Sequence, residues 1–185
     1  MNILRKIYYI LFDLVQTLVI AGAIFVVIYA FLFRPYQVNG RSMDPTFENG
    51  EYVLTNLIDV RFGKITRGDI VVFNAPVDKE KDYIKRVIGI PGDKVKVSDG
   101  NVYINGNKLN QVFLTPNLVT NPGTFLSENH EIEVPSGYYF VMGDNRGASS
   151  DSREWGFVSK EEIIGKSFLV YFPLNHFRIV SHEKL

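Results

Sequence analysis

One long apolar run separates the start of the chain from a region where apolar and polar residues alternate over short distances. Residues 14–33 contain no charged side chain, and seventeen of these twenty residues are apolar. A helix rises about 1.5 Å per residue, so twenty residues cover the roughly 30 Å of hydrocarbon in a bilayer. The pattern predicts a single transmembrane helix over residues 14–33.

Two other kinds of segment can produce an apolar run near an N-terminus. A cleavable signal peptide has an apolar core of about 7–15 residues followed by small residues, whereas this run is longer and ends in Phe-Leu-Phe-Arg-Pro. The core helix of a soluble protein is normally apolar on one face, whereas this run is apolar all round. We therefore expect a retained anchor.

The charges that flank the run predict its orientation. Arg5 and Lys6 precede it, and Arg34 follows it. Because cationic residues are retained on the cytoplasmic side, we expect residues 1–13 to be cytoplasmic and residues 34–185 to be extracytoplasmic. The protein would then be a single-pass protein of the cell membrane.

The region after the run has short apolar segments separated by turn residues, which is typical of β-strands. We predict strands over residues 52–57, 69–73, 83–90, 94–97, 101–104, 138–142 and 167–172. Asp99-Gly100 and Asn105-Gly106 are dipeptides that favour hairpin turns. The fold class is therefore mostly β, an antiparallel barrel-like or sandwich-like domain that follows one transmembrane helix.

Two segments depart from the strand pattern. Ser159 and Glu162 have the spacing of a capping box, which predicts a helix that includes Ile163 and Ile164. Residues 110–136 are rich in Asn, Pro, Thr and Ser and have weak periodicity, so we expect an irregular excursion there.

Charge and composition exclude several classes of protein. The chain has 20 basic and 20 acidic residues and no cysteine. A nucleic-acid-binding domain normally carries a basic excess, so we expect no nucleic-acid partner. Disulfides, thiolate zinc sites and cysteine nucleophiles are excluded. With no metal-binding motif in the sequence, we expect neither a metal nor a cofactor.

Two segments could carry a nucleophile and a base. Ser42 lies between Gly40 and Pro45, in a turn that could expose its hydroxyl and point backbone N–H groups outward. An ordinary linker turn has the same composition.

Lys85 lies within an apolar strand, where burial would lower its pKa and make it a general base. It could equally face solvent on an edge strand, because the neighbouring Arg86 points the other way.

A polar loop over residues 141–157 follows a predicted strand and contains paired opposite charges and three hydroxyls. These residues could brace the loop through ion pairs, or they could support a site. A Ser-His-Asp triad has little support, because His130, His176 and His182 accompany no Gly-x-Ser-x-Gly motif. The Ser-x-x-Lys spacing at residues 181–184 lacks its companion motifs and is a chance match.

Four motifs together resemble the type I signal peptidase family, the membrane-anchored Ser–Lys proteases. They are Gly-x-Ser-Met-x-Pro-Thr at 40–46, Arg-Gly-Asp-Ile-Val-Val-Phe at 67–73, Tyr-Ile-Lys-Arg-Val-Ile-Gly-x-Pro-Gly-Asp at 83–93, and Gly-Asp-Asn-Arg…Ser-x-Asp-Ser-Arg at 143–153. They occur in the order of the family. Gly40, two residues before the serine, makes the chain similar to the Gram-positive branch.

The resemblance implies a role for each matching residue. Ser42 would be the nucleophile, with its backbone N–H in the oxyanion hole, and Lys85 would be the general base. Ser149 would orient the lysine, and Met43 and Ile84 would line the substrate groove. The remaining matches would support the site: Gly40, Arg86, Asp144, Asp151 and Arg153.

The resemblance also implies the substrates and the partners. These would be exported preproteins that emerge from the secretion translocon beside the lipid bilayer, cleaved after small residues at −1 and −3. Two alternatives remain: an anchored binding module that captures peptides by β-augmentation, and a soluble self-cleaving Ser–Lys regulator. The intact candidate residues argue against the first, and the anchor argues against the second.

Overall fold

The N-terminal unit of the chain is one long helix. The computed structural model of the protein describes residues 3–111, 114 and 118–180, and the first of its two compact units is Met1–Phe33. Helix α1 covers Ile3–Leu32, and its segment Arg5–Leu32 is long and apolar enough to cross a membrane. The helix thus begins eleven residues before the predicted start at Leu14, because the charged side chains of Arg5, Lys6 and Asp13 limit the apolar run without breaking the helix.

The second unit, Arg34–Leu185, is mostly β as predicted, and the larger sheet among its described residues has eight strands. The strands pair in the order β1-β2-β11-β3-β4-β9-β10, and β12 pairs with β11. The pairs for which a register is defined are antiparallel. The bounds are β1 Phe33–Gln37, β2 Tyr52–Asn56, β3 Ile70–Ala75, β4 Asp78–Gly89, β9 Tyr138–Met142, β10 Val158–Ser159, β11 Ile163–Phe172 and β12 Arg178–Ile179.

A smaller antiparallel sheet has four strands in the order β7-β6-β5-β8. Its strands are β5 Lys94–Ser98, β6 Asn101–Ile104, β7 Asn107–Lys108 and β8 Glu131–Glu133. The two predicted hairpin dipeptides join β5 to β6 and β6 to β7. All four of their residues have positive φ, between 49° and 79°, as a type I′ turn requires.

Short helical turns connect the strands. Helix α2 covers Ile58–Arg61 and helix α3 covers Ser152–Trp155, and 3₁₀ turns occur at Lys160–Glu162 and Leu174–His176. In the described part of the domain, the apolar strand faces form three buried clusters. One of them, which contains Val38, Met43, Phe47, Val53 and Ile70, lies under the turn that carries Ser42.

The helix predicted after Ser159 is wrong, although its capping box is present. Ser159 Oγ accepts from Glu162 N, and the Glu162 carboxylate accepts from Ser159 N. The box begins only the 3₁₀ turn, because Ile163 is buried and pairs with Phe73 in β3 as the start of the ten-residue strand β11. Burial of β-branched residues in a sheet outweighs the local helix signal.

Three other expectations can be compared with the described residues. The seven predicted strands are all present, and β4 and β11 are longer than expected. The described strands form two open sheets and no closed barrel. Within the excursion at 110–136, residues 131–133 form strand β8, whereas 112–113 and 115–117 lie outside the described residues, as do the Ser-x-x-Lys match at 181–184 and His182.

Candidate active site

The turn that carries Ser42 is fixed at both ends. On its C-terminal side, Met43 and Phe47 are buried in the core, and Phe47 N donates to Met43 O over 2.9 Å. On its N-terminal side, Gly40 N donates to Asn49 Oδ1 over 2.7 Å. Gly40 has a φ of +97°, a conformation that residues with a side chain rarely adopt. The turn is therefore packed against the domain and leaves Ser42 half-exposed.

Lys85 projects from β4 toward Ser42. Its Nζ donates to Ser42 Oγ over 2.9 Å and to the carbonyl of Ile84 over 3.0 Å, and only 4% of the residue is exposed. Burial lowers the pKa of Lys85 to about 8, although the negative charges of Asp151 and Asp144 act in the opposite direction. An amine with this pKa is partly neutral near pH 7 and can accept a proton.

Arg86, the next residue on β4, is buried as well and forms an ion pair. Its Nε and Nη2 donate to the two carboxylate oxygens of Asp144 over 2.9 and 2.7 Å, and both side chains are 1% exposed. Thr46 Oγ1 donates to the same carboxylate. The pair therefore connects β4, the loop after β9 and the Ser42 turn.

A second buried ion pair holds the loop after β9. Arg153 donates to Asp151 through Nε and Nη2, both over 2.8 Å, and Asp151 also accepts from Gly143 N over 3.0 Å. Asp151 is the N-cap of helix α3. Arg153 Nη2 also donates to Arg146 O, so one side chain connects the middle of the loop to its C-terminal end.

Ser149 lies in this loop without the expected hydrogen bond to Lys85. Its Oγ is buried and has no hydrogen-bond partner among the residues that the structure describes. A Cβ added at Gly143 would overlap both Ser149 Oγ and the Ser42 carbonyl oxygen, so these groups meet at Gly143. Ser149 is therefore next to the site, but it does not orient the lysine in this geometry.

Two residues of the loop contribute contacts that the sequence analysis missed. Asn145 donates through its backbone N to Ser42 O and through Nδ2 to Arg41 O, both over 3.0 Å. Arg146 is buried and bonds to Gly143 O, Thr120 Oγ1 and Gln111 Oε1. Burial lowers the pKa of Arg146 to about 10. The Gly-Asp-Asn-Arg motif contains both residues and could have marked them as candidates. The motif does not indicate the hydrogen-bond partners of either residue.

A groove of about 240 Å³ leads to Ser42 and Lys85. Tyr36 to Asn39 form one wall, and Asp82 to Lys85 of β4 form the other. Ile84 lines the groove as expected. Met43 does not, because it is 1% exposed and packs in the core.

The histidines lie elsewhere among the described residues. His176 Nδ1 lies 2.9 Å from Glu51 Oε1, and Arg178 donates to both oxygens of the same carboxylate. Burial opposes ionisation of Glu51, but these hydrogen bonds outweigh it and lower the pKa of the carboxyl group. His130 is exposed. In the described part of the chain, no three His, Asp or Glu side chains are grouped to hold a metal ion.

Comparisons with known proteins give consistent matches. A family model described as signal peptidase, peptidase S26, matches residues 11–172. Signal peptidase IB of Staphylococcus aureus strain Mu50 is 35% identical over 179 residues, which cover 91% of this chain and 93% of that protein. Signal peptidase I of Bacillus licheniformis is 40% identical over 172 residues, 91% and 92% of the two chains. The crystal structure of a signal peptidase I from Enterococcus faecalis V583 is 31% identical, covers 56% of this chain and 96% of its own, and has a TM-score of 0.45.

Proposed function

This chain belongs to the signal peptidase family, peptidase S26, and is a type I signal peptidase; from that premise we propose that Ser42 and Lys85 form its catalytic dyad. The observation that carries the proposal is the 2.9 Å contact between Lys85 Nζ and Ser42 Oγ, made by a lysine whose pKa is lowered by burial. A serine hydroxyl is a weak nucleophile until a base removes its proton.

The dyad would hydrolyse the peptide bond in two stages. Ser42 Oγ bonds to the scissile carbonyl carbon, its proton passes to neutral Lys85 Nζ, and the negative charge on the carbonyl oxygen is stabilised by Ser42 N–H. The tetrahedral intermediate reforms its carbonyl as the C–N bond breaks, and Lys85 donates its proton to the leaving amine. Water then gives a proton to Lys85 and adds to the ester carbon, and Ser42 Oγ leaves with the proton from Lys85.

The two ion pairs would keep the lysine in place without restoring its charge. Asp144 and Asp151 raise the pKa of Lys85, but each carboxylate is bonded to its own arginine, Arg86 or Arg153. The pairs are close to neutral as units, so burial remains the dominant influence on the lysine. Gly40 contributes by allowing the turn and offers no side-chain donor to the oxyanion.

The free edge of β4 would bind the substrate as an added strand. Strand β9 pairs with β4 only at Arg86, Val87 and Gly89, so the described strands leave residues 82–85 without a partner on that side. An extended peptide on this edge would place alternate side chains on one face. Residues −1 and −3 would therefore face the same wall of a groove of about 240 Å³, which favours small side chains at both.

Helix α1 would anchor the enzyme in the cell membrane. We expect residues 1–13 in the cytoplasm, a span over 14–33, and the catalytic domain 34–185 on the extracytoplasmic side. Exported preproteins emerge from the translocon on that side with their cleavage sites near the bilayer surface, and Ser42 follows Phe33 by only nine residues.

The test is cleavage of a preprotein by the full chain in detergent. Ser42→Ala and Lys85→Ala should each lower kcat about a thousandfold or more, because the members of a dyad act as a unit. Exposed residues of the same types provide matched controls, and Ser136→Ala and Lys94→Ala should keep wild-type rates. Substantial activity in Lys85→Ala would contradict the dyad, and peptide binding without any cleavage by the wild type would favour the binding module.

A further inference from the structure

One residue of the loop after β9 holds two consecutive carbonyl groups of the Ser42 turn. Asn145 Nδ2 donates to Arg41 O and Asn145 N donates to Ser42 O, each over 3.0 Å. The residues are 104 positions apart along the chain, from Arg41 to Asn145. Neither bond involves the side chain of Ser42 or Lys85. The contact therefore acts on the backbone of the turn.

The Arg41 carbonyl and the Ser42 N–H belong to the same peptide group. Because that group is planar and trans, its C=O and N–H point in opposite directions. A hydrogen bond that fixes Arg41 O on one side therefore fixes the direction of Ser42 N–H on the other. A donor at the carbonyl also polarises the peptide and strengthens its N–H as a donor.

We propose that Asn145 is the positioning residue of the oxyanion hole, and that its side-chain amide orients and polarises the Ser42 N–H. This inference rests on the proposed dyad, because it needs an oxyanion to form beside Ser42. It extends that proposal by assigning a role in hydrolysis to a side chain that touches neither the substrate nor the reacting atoms.

The composition of the turn makes such a residue necessary. Gly40 has no side chain that could donate to the oxyanion, so stabilisation depends on the backbone of Ser42. Glycine also leaves the backbone before the nucleophile more freedom than other residues allow. Asn49 restrains one side of the turn by accepting from Gly40 N. Asn145 restrains the peptide group that carries the donor.

Asn145 is itself held firmly enough to transmit this restraint. The preceding residue, Asp144, is 1% exposed and is held by Arg86 and Thr46. Asn145 O accepts from Ala148 N over 3.0 Å, and the following residue, Arg146, is buried. The side chain thus projects from a well-packed segment, as a residue that fixes geometry must.

The test measures turnover and inhibition with Asn145→Ala in the full chain. Outright removal of an oxyanion donor lowers kcat by about 10²–10³-fold. Here the N–H remains but is less well oriented, so we expect kcat to fall by about 5- to 50-fold, with KM within about twofold of the wild type. Asn101→Ala is the matched control, because Asn101 Nδ2 also donates to a backbone carbonyl, that of Asp99, but in the smaller sheet.

A peptide aldehyde supplies the readout that a purely structural role would not change. Ser42 Oγ adds to the aldehyde carbon and the hydroxyl proton ends on the new hemiacetal oxygen, which occupies the position of the oxyanion. In Asn145→Ala, the inhibition constant of the aldehyde should rise by the same factor by which kcat falls. The affinity for a cleaved product peptide and the midpoint of the pH profile should not change.

Each outcome decides the inference. Parallel losses of turnover and aldehyde affinity at an unchanged pH midpoint support it. An unchanged kcat overturns it. A loss of kcat with a shifted midpoint of the pH profile, or with unchanged aldehyde affinity, overturns it as well, because Asn145 would then act on Lys85 and not on the oxyanion hole. If Asn145→Ala does not fold, Asn145→Leu keeps the side-chain volume and is measured instead. Cleavage that persists in Ser42→Ala would reject the dyad itself, which separates the two failures.

Discussion

Two neighbouring cations of β4 differ in their partners, and that difference gives them different chemistry. Arg86 bonds to both oxygens of Asp144, so its charge is balanced where it is buried. Among the residues that the structure describes, Lys85 has only a serine hydroxyl and a backbone carbonyl as hydrogen-bond acceptors. Burial without a bonded carboxylate favours the neutral amine. In the proposed mechanism Arg86 would therefore support the site, and Lys85 would act as the base.

The pH dependence of cleavage should follow the neutral fraction of Lys85. With its pKa lowered to about 8, roughly one tenth of the lysine is neutral at pH 7 and about one hundredth at pH 6. We expect kcat/KM to rise about tenfold per pH unit below pH 7.5 and to level off above pH 8.5. Initial rates on a peptide substrate without titratable groups measure this.

The direction of the change is the decisive part of this experiment. A base must lose its proton to act, so activity is lost as the pH falls through the pKa. A rate that stays constant between pH 6 and pH 9 would contradict a lysine base. Far-ultraviolet circular dichroism at both ends of the range separates loss of activity from loss of fold.

The loop after β9 packs closely against the Ser42 turn because its first residue, Gly143, has no side chain. Gly143 has Ser149 Oγ, Ser149 Cβ and Ser42 O where a Cβ would lie. Its N–H is bound by Asp151, which prevents the backbone from moving away. The loop and the Ser42 turn can therefore approach each other only with glycine at this position.

Gly143→Ala should move the loop and Ser42 apart. A displacement of about 1 Å at a reacting group costs about 100-fold in rate, and forced overlap in a packed region costs about 1–3 kcal/mol of stability. Gly147→Ala is the matched control in the same loop, because a Cβ there meets nothing within 4 Å. Measurements of kcat and thermal midpoint on both variants test this. Equal activity in the two would show that the close approach is not needed.

Elements were predictable from the sequence where local chemistry determines them. The Asp99-Gly100 and Asn105-Gly106 turns formed as predicted, because positive φ at both positions is a local requirement. The capping box at Ser159 formed, but the helix after it did not, because pairing of Ile163 with distant Phe73 is a tertiary effect. Local pattern predicts turns better than it predicts the elements that come after them.

At the scale of the whole molecule, the chain combines two units with different composition. The apolar helix Ile3–Leu32 raises the apolar fraction, and the mostly β unit carries nearly all of the charge. The site itself lies beyond what periodicity can predict, because Ser42 and Lys85 are 43 residues apart and meet only through the fold. The resemblance to a known family predicted both residues from their motifs. The contacts of Asn145 are visible only in the folded structure.

The buried lysine should also lower the stability of the folded domain. Its pKa falls from 10.5 to about 8 on folding, so below pH 8 the folded state bears the full cost of the buried charge, about 3 kcal/mol. Lys85→Met should raise the free energy of unfolding by about 1–3 kcal/mol at pH 7. The unfolded chain binds more protons between pH 8 and 10.5, so the wild type gains stability there and the difference shrinks.

Urea unfolding at pH 7 and pH 10, followed by the fluorescence of the single tryptophan Trp155, measures this difference. Lys94→Met removes an exposed lysine and should change the free energy of unfolding little at either pH. A Lys85→Met variant less stable than the wild type at pH 7 would show that the two hydrogen bonds of Lys85 outweigh the desolvation of its charge.

Burial of Lys85 also determines how the protein would change under selection. Selection for heat resistance alone would favour an apolar residue at position 85, and the resulting lineage would keep the fold and lose hydrolysis. Under the proposed dyad, lysine would persist there only while hydrolysis is under selection. The residue at this one position would therefore distinguish related proteins that keep hydrolysis from related proteins that keep only the fold.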